Sequence, residues 1–164
     1  MGESSMNEYY EQQLTLGQEY QDFVSDILCK RGLTVRNYTS RKYQLRHGEN
    51  LIGLEIKNDT QISVYGNLFI EVAERRDLCM PFMPSGIYAN NSIFYLIGDY
   101  ERYFLFATNT LRAIHKSGRY PEIIISRNTS RGFKLPVKDV RENLWMAEEY
   151  SFPVSESSKQ KSLP

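Results

Sequence analysis

Cysteine, histidine and tryptophan are all scarce in this chain: two, two and one in 164 residues. Cys29 and Cys79 are too few for a disulfide scaffold or a zinc site built of thiolates, and they read as small buried hydrophobes. His47 and His115 lie far apart without ligand spacing and read as surface residues, which leaves no support for a histidine zinc centre or a Ser or Cys triad. No apolar run approaches the roughly 18 residues of a membrane-spanning helix. Met1-Gly2-Glu3-Ser4-Ser5 has neither the basic nor the apolar region of a signal peptide. A reducing interior, with no membrane partner and no secretion, is the expectation.

Net charge is absent too, with 20 basic against 20 acidic residues, but its distribution is uneven. Residues 1–26 hold six acids and no base, and residues 27–48 hold six bases and no acid. Residues 49–101 return eight acids against three bases, and 110–141 hold eight bases against two acids. Such blocks can set an acidic centre between basic flanks, the layout of a metal site that handles a polyanion. The plainer alternative is a set of solvated faces that never converge.

With 41% hydrophobic and 24% charged residues, the chain has the composition and length of one compact domain. Residues 1–7 and the serine-rich 151–164 read as flexible tails, leaving 8–150 as the domain. Tyr20, Phe23, Val24, Ile27 and Leu28 follow helical spacing, which predicts an amphipathic helix from about Glu8 to Arg31, stopped by Gly32. Short strands are expected at 35–38 and 41–45. Leu51 to Asp59 and Leu68 to Arg75 alternate as strands should. Cys79 to Asn91 reads as a loop, 93–107 as a β-hairpin about Gly98-Asp99, and 108–117 as a helix. Short strands at 123–126 and 131–135 precede a last helix over 137–147, anchored by Leu144 and Trp145. The order predicts an α/β (α+β) domain with a mixed central β-sheet flanked by helices.

Chemistry concentrates in Glu55, Lys57, Asp59 and Glu71. Alternation sets the first three on one face of a strand, and Glu71 can face them if the next strand lies alongside. Glu71 also stands inside the apolar run Phe69 to Ala73, where a bare carboxylate is costly and must be paired, protonated or metal-bound. Carboxylates and an amine at a strand edge suit Mg²⁺, with Mn²⁺ as a substitute, and metal-assisted hydrolysis of a phosphodiester. Read alone, the same residues are a half-exposed strand whose charges face water.

Asp59, eleven intervening residues and then Glu71 resemble the acidic pair of the PD-(D/E)XK nuclease superfamily, the restriction-endonuclease-like fold. The resemblance covers roughly residues 14–147. It implies a first helix bearing an acid, which Glu19 matches, and a sheet whose neighbouring strands carry Asp59 and Glu71. By this likeness Asp59 and Glu71 are catalytic metal ligands, with Glu19 and Glu55 as outer ones. The family pattern places a lysine two residues after the second acid, where this chain has Ala73. It also places a proline before the first acid, where Asn58 stands. Lys57 is the substitute amine on that face, and Arg75 a second candidate.

Basic and aromatic residues supply the expected nucleic-acid surface: Tyr38, Arg41, Lys42, Tyr43, Arg46 and His47 in one stretch, Arg131 and Lys134 in another. The expectation is a Mg²⁺-dependent endonuclease that hydrolyses DNA, with RNA also open, in the cytoplasm or on the nucleoid. One site cuts one strand, so a homodimer is expected. The alternative is a catalytically inactive module on the same scaffold, for nucleic-acid binding or protein assembly, which Ala73 favours.

Overall fold

A computed structural model describes residues 3–37, 40, 42, 46, 50–125 and 128–152. Helix α1 spans Glu3–Lys30 and so begins inside the expected tail. Its Tyr20, Val24, Ile27 and Leu28 are buried, the spacing of one helical stripe. The helix ends as Gly32 takes φ 87° and Leu33 N donates to Leu28 O at 2.9 Å, while Gly32 N donates to Cys29 O at 2.9 Å. These bonds satisfy carbonyls that the helix leaves open, and the positive φ is what glycine supplies.

The remaining elements are β1 (Leu54–Asn58), α2 (Ile62–Tyr65), β2 (Asn67–Glu74), β3 (Met83–Pro84) and a 3-10 turn at Gly86–Tyr88. After these come β4 (Phe94–Gly98), β5 (Arg102–Ala107), α3 (Thr108–Lys116), β6 (Glu122–Ile125), β7 (Ser130–Pro136), α4 (Val137–Glu142) and β8 (Ala147–Ser151). They form a mixed α+β architecture with two four-stranded sheets, ordered β1-β4-β5-β8 and β3-β2-β7-β6. In the first, β1 runs parallel to β4 and the other pairs are antiparallel. The second is antiparallel throughout. No helix among the described residues is long and apolar enough to cross a membrane.

Strand alternation sorts the core into two layers. Leu54, Ile56, Leu96 and Tyr103 face α1 and pack with Tyr20, Val24 and Ile27. On the other side of that sheet Tyr95, Ile97, Phe104 and Phe106 meet Leu68, Ile70, Val72, Phe133 and Leu135 of the second sheet, with Leu111 and Ile114 of α3. At about 1.5–3 kcal/mol for each large apolar side chain fully buried, this inter-sheet layer is the main stabilising contact.

Several expectations change. The anticipated single central sheet is two, and β1 does not lie beside β2: its neighbour is β4, in parallel register from Leu54↔Phe94 to Asn58↔Gly98. Lys42 and Arg46 are helical, not part of a strand. The last helix stops at Glu142, and residues 147–151 instead close the first sheet along β5. Leu144 and Trp145 are 82% and 68% exposed, while Met146 is the buried anchor. Both cysteines are exposed, not buried.

Candidate functional site

Asp59 follows β1 directly. Its N–H donates to Gly98 O at 2.7 Å, which extends the parallel pairing by one step. Its carboxylate accepts the amides of Gln61 at 3.0 Å and Phe69 at 2.9 Å. The first bond folds the turn into α2, and the second reaches the edge of β2. Burial pushes the Asp59 carboxyl above the usual range; the two amides pull it down and the nearby charge of Asp99 pushes it up again. Asp99 occupies the matching place after β4. It is buried and accepts from Glu101 N at 2.8 Å, Arg102 N at 2.9 Å and Ser63 Oγ at 2.9 Å. Two acids thus cap the carboxyl ends of adjacent parallel strands.

Glu71 is half-buried on β2, with Ser85 Oγ donating to Oε1 at 2.6 Å and Ser130 Oγ to Oε2 at 2.5 Å. The next residue after Ser85 must be glycine on two counts. Gly86 has φ 51°, and a Cβ there would stand 2.1 Å from the Glu71 carbonyl oxygen. A bulge in the β2–β7 register between Glu71 and Ala73 turns both Val72 and Ala73 into the core. Ala73 therefore leaves no open volume beside Glu71 for a relocated amine, contrary to simple alternation.

Glu55 is 1% exposed in the middle of β1. Lys57 Nζ lies 2.8 Å from its Oε1, and Asn90 Nδ2 donates to its Oε2 at 2.8 Å. Arg112 on α3 holds the carbonyls of Ile87 and Asn90 at 2.8 and 2.9 Å. Residues 85–90 are thus anchored from α3, touching Glu71 through Ser85 and Glu55 through Asn90.

The sequence-predicted acids therefore occupy separate stations. Asp59, at the exit of β1, reaches β2 only through the amide of Phe69, two residues before Glu71. Glu55 and Lys57 face the inter-sheet layer instead, and Glu19 is exposed on α1. Among the described residues no three His, Cys, Asp or Glu side chains converge on a point. Arg75 is engaged elsewhere, donating to Leu78 O in its own loop and to Asn128 O in the β6–β7 turn and lying 4.6 Å from the Phe82 ring. Arg131 covers the same ring from 5.0 Å and approaches Glu122 at 3.4 Å. Lys134 is exposed, its amine 5.9 Å from the Tyr65 ring. Lys42 and Arg46 are exposed; Arg41 and Tyr43, with Tyr38 and His47, lie outside the described residues.

Ser85, Asn90, Asp99 and Arg112 complete these stations and were not singled out from the sequence; Ser130, a small donor in the stretch with Arg131 and Lys134 that reads as phosphate-binding, is bonded to Glu71. Asp99 had a signal, since an aspartate after glycine in a hairpin is a turn acceptor. Ser85 had none, because its partner is remote along the chain. His115 is likewise not a bare surface residue: Nδ1 meets Tyr88 Oη at 2.9 Å and Nε2 meets Glu122 at 2.7 Å. In comparisons with known proteins, no family model matches this chain, and no curated protein or solved structure matches it significantly.

Proposed function

We propose that this protein is a metal-dependent endonuclease that hydrolyses phosphodiester bonds in DNA, on a domain of restriction-endonuclease-like character. The observation that carries the reading is the bond from Phe69 N to Asp59 at 2.9 Å. It brings the first acid to the strand that bears the second, two residues or about 7 Å of strand from Glu71. A leading helix, an acid at the exit of one strand and an acid within the next also agree with the likeness found in the sequence.

The donor set suits magnesium, which takes hard oxygens, keeps several waters and is commonly bound by one or two carboxylates with substrate phosphate. Each carboxylate oxygen of Asp59 and Glu71 accepts one hydrogen bond here and retains a second lone pair. Asp59 and Glu71 would hold the ion, which supplies charge neutralisation at phosphorus and a more acidic water. Ser85 and Ser130 orient the Glu71 carboxylate. Glu55 and Asn90 fix the Lys57 stem, whose side chain keeps 36% of its exposure and offers an ammonium at the end of β1. A homodimer belongs to this reading, because one such site cuts one strand.

A second reading has its own observation. Both Glu71 oxygens already carry hydroxyl donors and the Lys57 amine already pairs with Glu55, as in a scaffold that binds nucleic acid without cutting it. Cleavage of supercoiled, single-stranded and branched DNA with Mg²⁺ or Mn²⁺ decides between them. The nuclease reading expects cleavage by the wild type and none by Glu71→Gln, with fold and DNA binding retained. Equal activity in the two proteins rejects the site; inactivity of both with intact DNA binding supports the second reading.

A further inference from the structure

Among the described residues, the outer face of the second sheet carries side chains that belong to neither core cluster, with Phe69, Ile123 and Ile125 half-buried on it. Leu68, Ile70, Val72, Phe133 and Leu135 point inward, so alternation sends Phe69, Glu71 and Lys134 outward, and cross-strand pairing adds Ile123 beside Gly132. Neither hydrophobic cluster includes Phe69, Ile123 or Ile125. At Gly132 a Cβ would meet the Ile70 carbonyl oxygen at 2.2 Å and Phe69 Cζ at 2.8 Å, so the Phe69 ring lies against this glycine. Beyond Phe69, in register with Lys134, stands Tyr65, 64% exposed and beneath the Lys134 amine.

We infer that this face is a platform for single-stranded nucleic acid, on which bases stack on Tyr65 and Phe69 while Lys134 meets the phosphates. The inference rests on the proposed function for its polyanionic partner and adds which form of it binds. A sheet face bearing rings puts no helix or ribbon into a duplex groove, whereas unpaired bases present their faces to such rings. Lys134 supplies the charge complementary to phosphate beside Tyr65, and further cations, each paired with a carboxylate, lie past it. Gly66 O accepts Val137 N at 2.9 Å, which joins this corner to α4. There a cleft of about 620 Å³ is lined by Gly66, Arg102, Lys138 and Arg141 against Glu101 and Glu142. Lys138, with 80% side-chain exposure, lies 3.7 Å from Glu142 in a solvated i,i+4 pair that leaves its ammonium open to a phosphate. The lane ends at Glu71, so a strand laid on it passes the proposed scissile position.

Fluorescence anisotropy without divalent metal tests binding apart from cleavage, using oligo(dT) of about 20 nucleotides and a duplex of equal length. The single strand is expected to bind at least tenfold more tightly. Tyr65→Ala is expected to weaken it by about 5- to 100-fold and Tyr65→Phe to restore it, since the ring and not the hydroxyl stacks. Lys134→Ala is expected to lower the log–log salt slope by about 0.7, one phosphate contact on a single strand. Equal or tighter duplex binding, or an unchanged oligo(dT) affinity in Tyr65→Ala, overturns the platform. Single-strand binding lost in Tyr65→Ala, in a protein that never cleaves, upholds the platform while the nuclease reading fails.

Discussion

The carboxylate of Asp59 accepts the amide hydrogen of Phe69 at 2.9 Å and so fastens the exit of β1, in one sheet, to the edge of β2 in the other. With Gln61 N on its second oxygen, the side chain closes a turn and ties two layers at once. An acid in this position is first a structural clamp, and any work on a metal must be done with its remaining lone pairs.

Asp59→Asn tests the clamp. An amide side chain has one acceptor oxygen, so one of the two backbone donors loses its partner, at a cost of about 1–3 kcal/mol. The melting temperature should fall, whereas a carboxylate whose main role is to face other ligand acids would leave a more stable protein when neutralised. The pH dependence has a definite sign. The folded proton affinity of Asp59 is raised above its unfolded value of 3.8, so the stability it contributes is fully present below that pH. That contribution is lost as pH rises through the folded value. Thermal melts across the acid range should show a flatter slope there for Asp59→Asn than for the wild type.

Gly86→Ala should be the most damaging small substitution near Glu71. The added methyl meets the Glu71 carbonyl at 2.1 Å, and the φ of 51° disfavours any side chain. The backbone must move, and Ser85 moves with it away from Glu71. Chemical denaturation is expected to register a loss above about 2 kcal/mol, well beyond the ordinary penalty for a surface exchange. A neutral result would mean that the close approach of the 3-10 turn to β2 is wrong.

The chain's carboxyl-terminal region gives a contrast of neighbours. Met146 is 3% exposed and Leu144 is 82% exposed, although helical spacing favours Leu144 as the anchor. Met146→Ala should cost about 2–5 kcal/mol and Leu144→Ala about 0.5 kcal/mol or less. The reverse order in urea titrations would restore the longer helix.

What could be read from the sequence follows from how local each signal is. The α1 stripe, the Gly32 stop and the β4–β5 hairpin depend on neighbours in the chain, and they stand where spacing and turn residues put them. Strand partnership is not local. Asp59 and Glu71 sit on successive strands, and adjacency in sequence suggested adjacency in one sheet. The hydrophobic residues of β1, however, are shared with β4 and α1. The bulge after Glu71 is equally silent in sequence, yet it decides that Ala73 faces the core. At 143–147 the turn was hidden because Leu144 and Trp145 have the composition of a helix anchor while lying in solvent.

Lys57 carries the sharpest remaining test. Its amine lies 2.8 Å from Glu55, whose side chain is 2% exposed against 36% for the lysine. Glu55 and Lys57 are also separated by one residue, the acid-to-lysine spacing that the likeness to the nuclease family expects after Glu71. Lys57→Ala leaves a buried carboxylate with Asn90 as its remaining donor of the pair described, and a broken buried pair costs about 3–5 kcal/mol. The exposed third of the lysine is screened by water, so about 2 kcal/mol is the better expectation. Placing lysine at Ala73 should not rescue this variant, because that position faces the core. Glu55→Gln with Lys57→Met removes both charges and should recover most of the lost stability. Under the proposed function the double variant regains its fold but not its cleavage, since the ammonium is gone. Wild-type rates in the refolded double variant would remove Lys57 from the chemistry and leave the pair as a structural feature of β1.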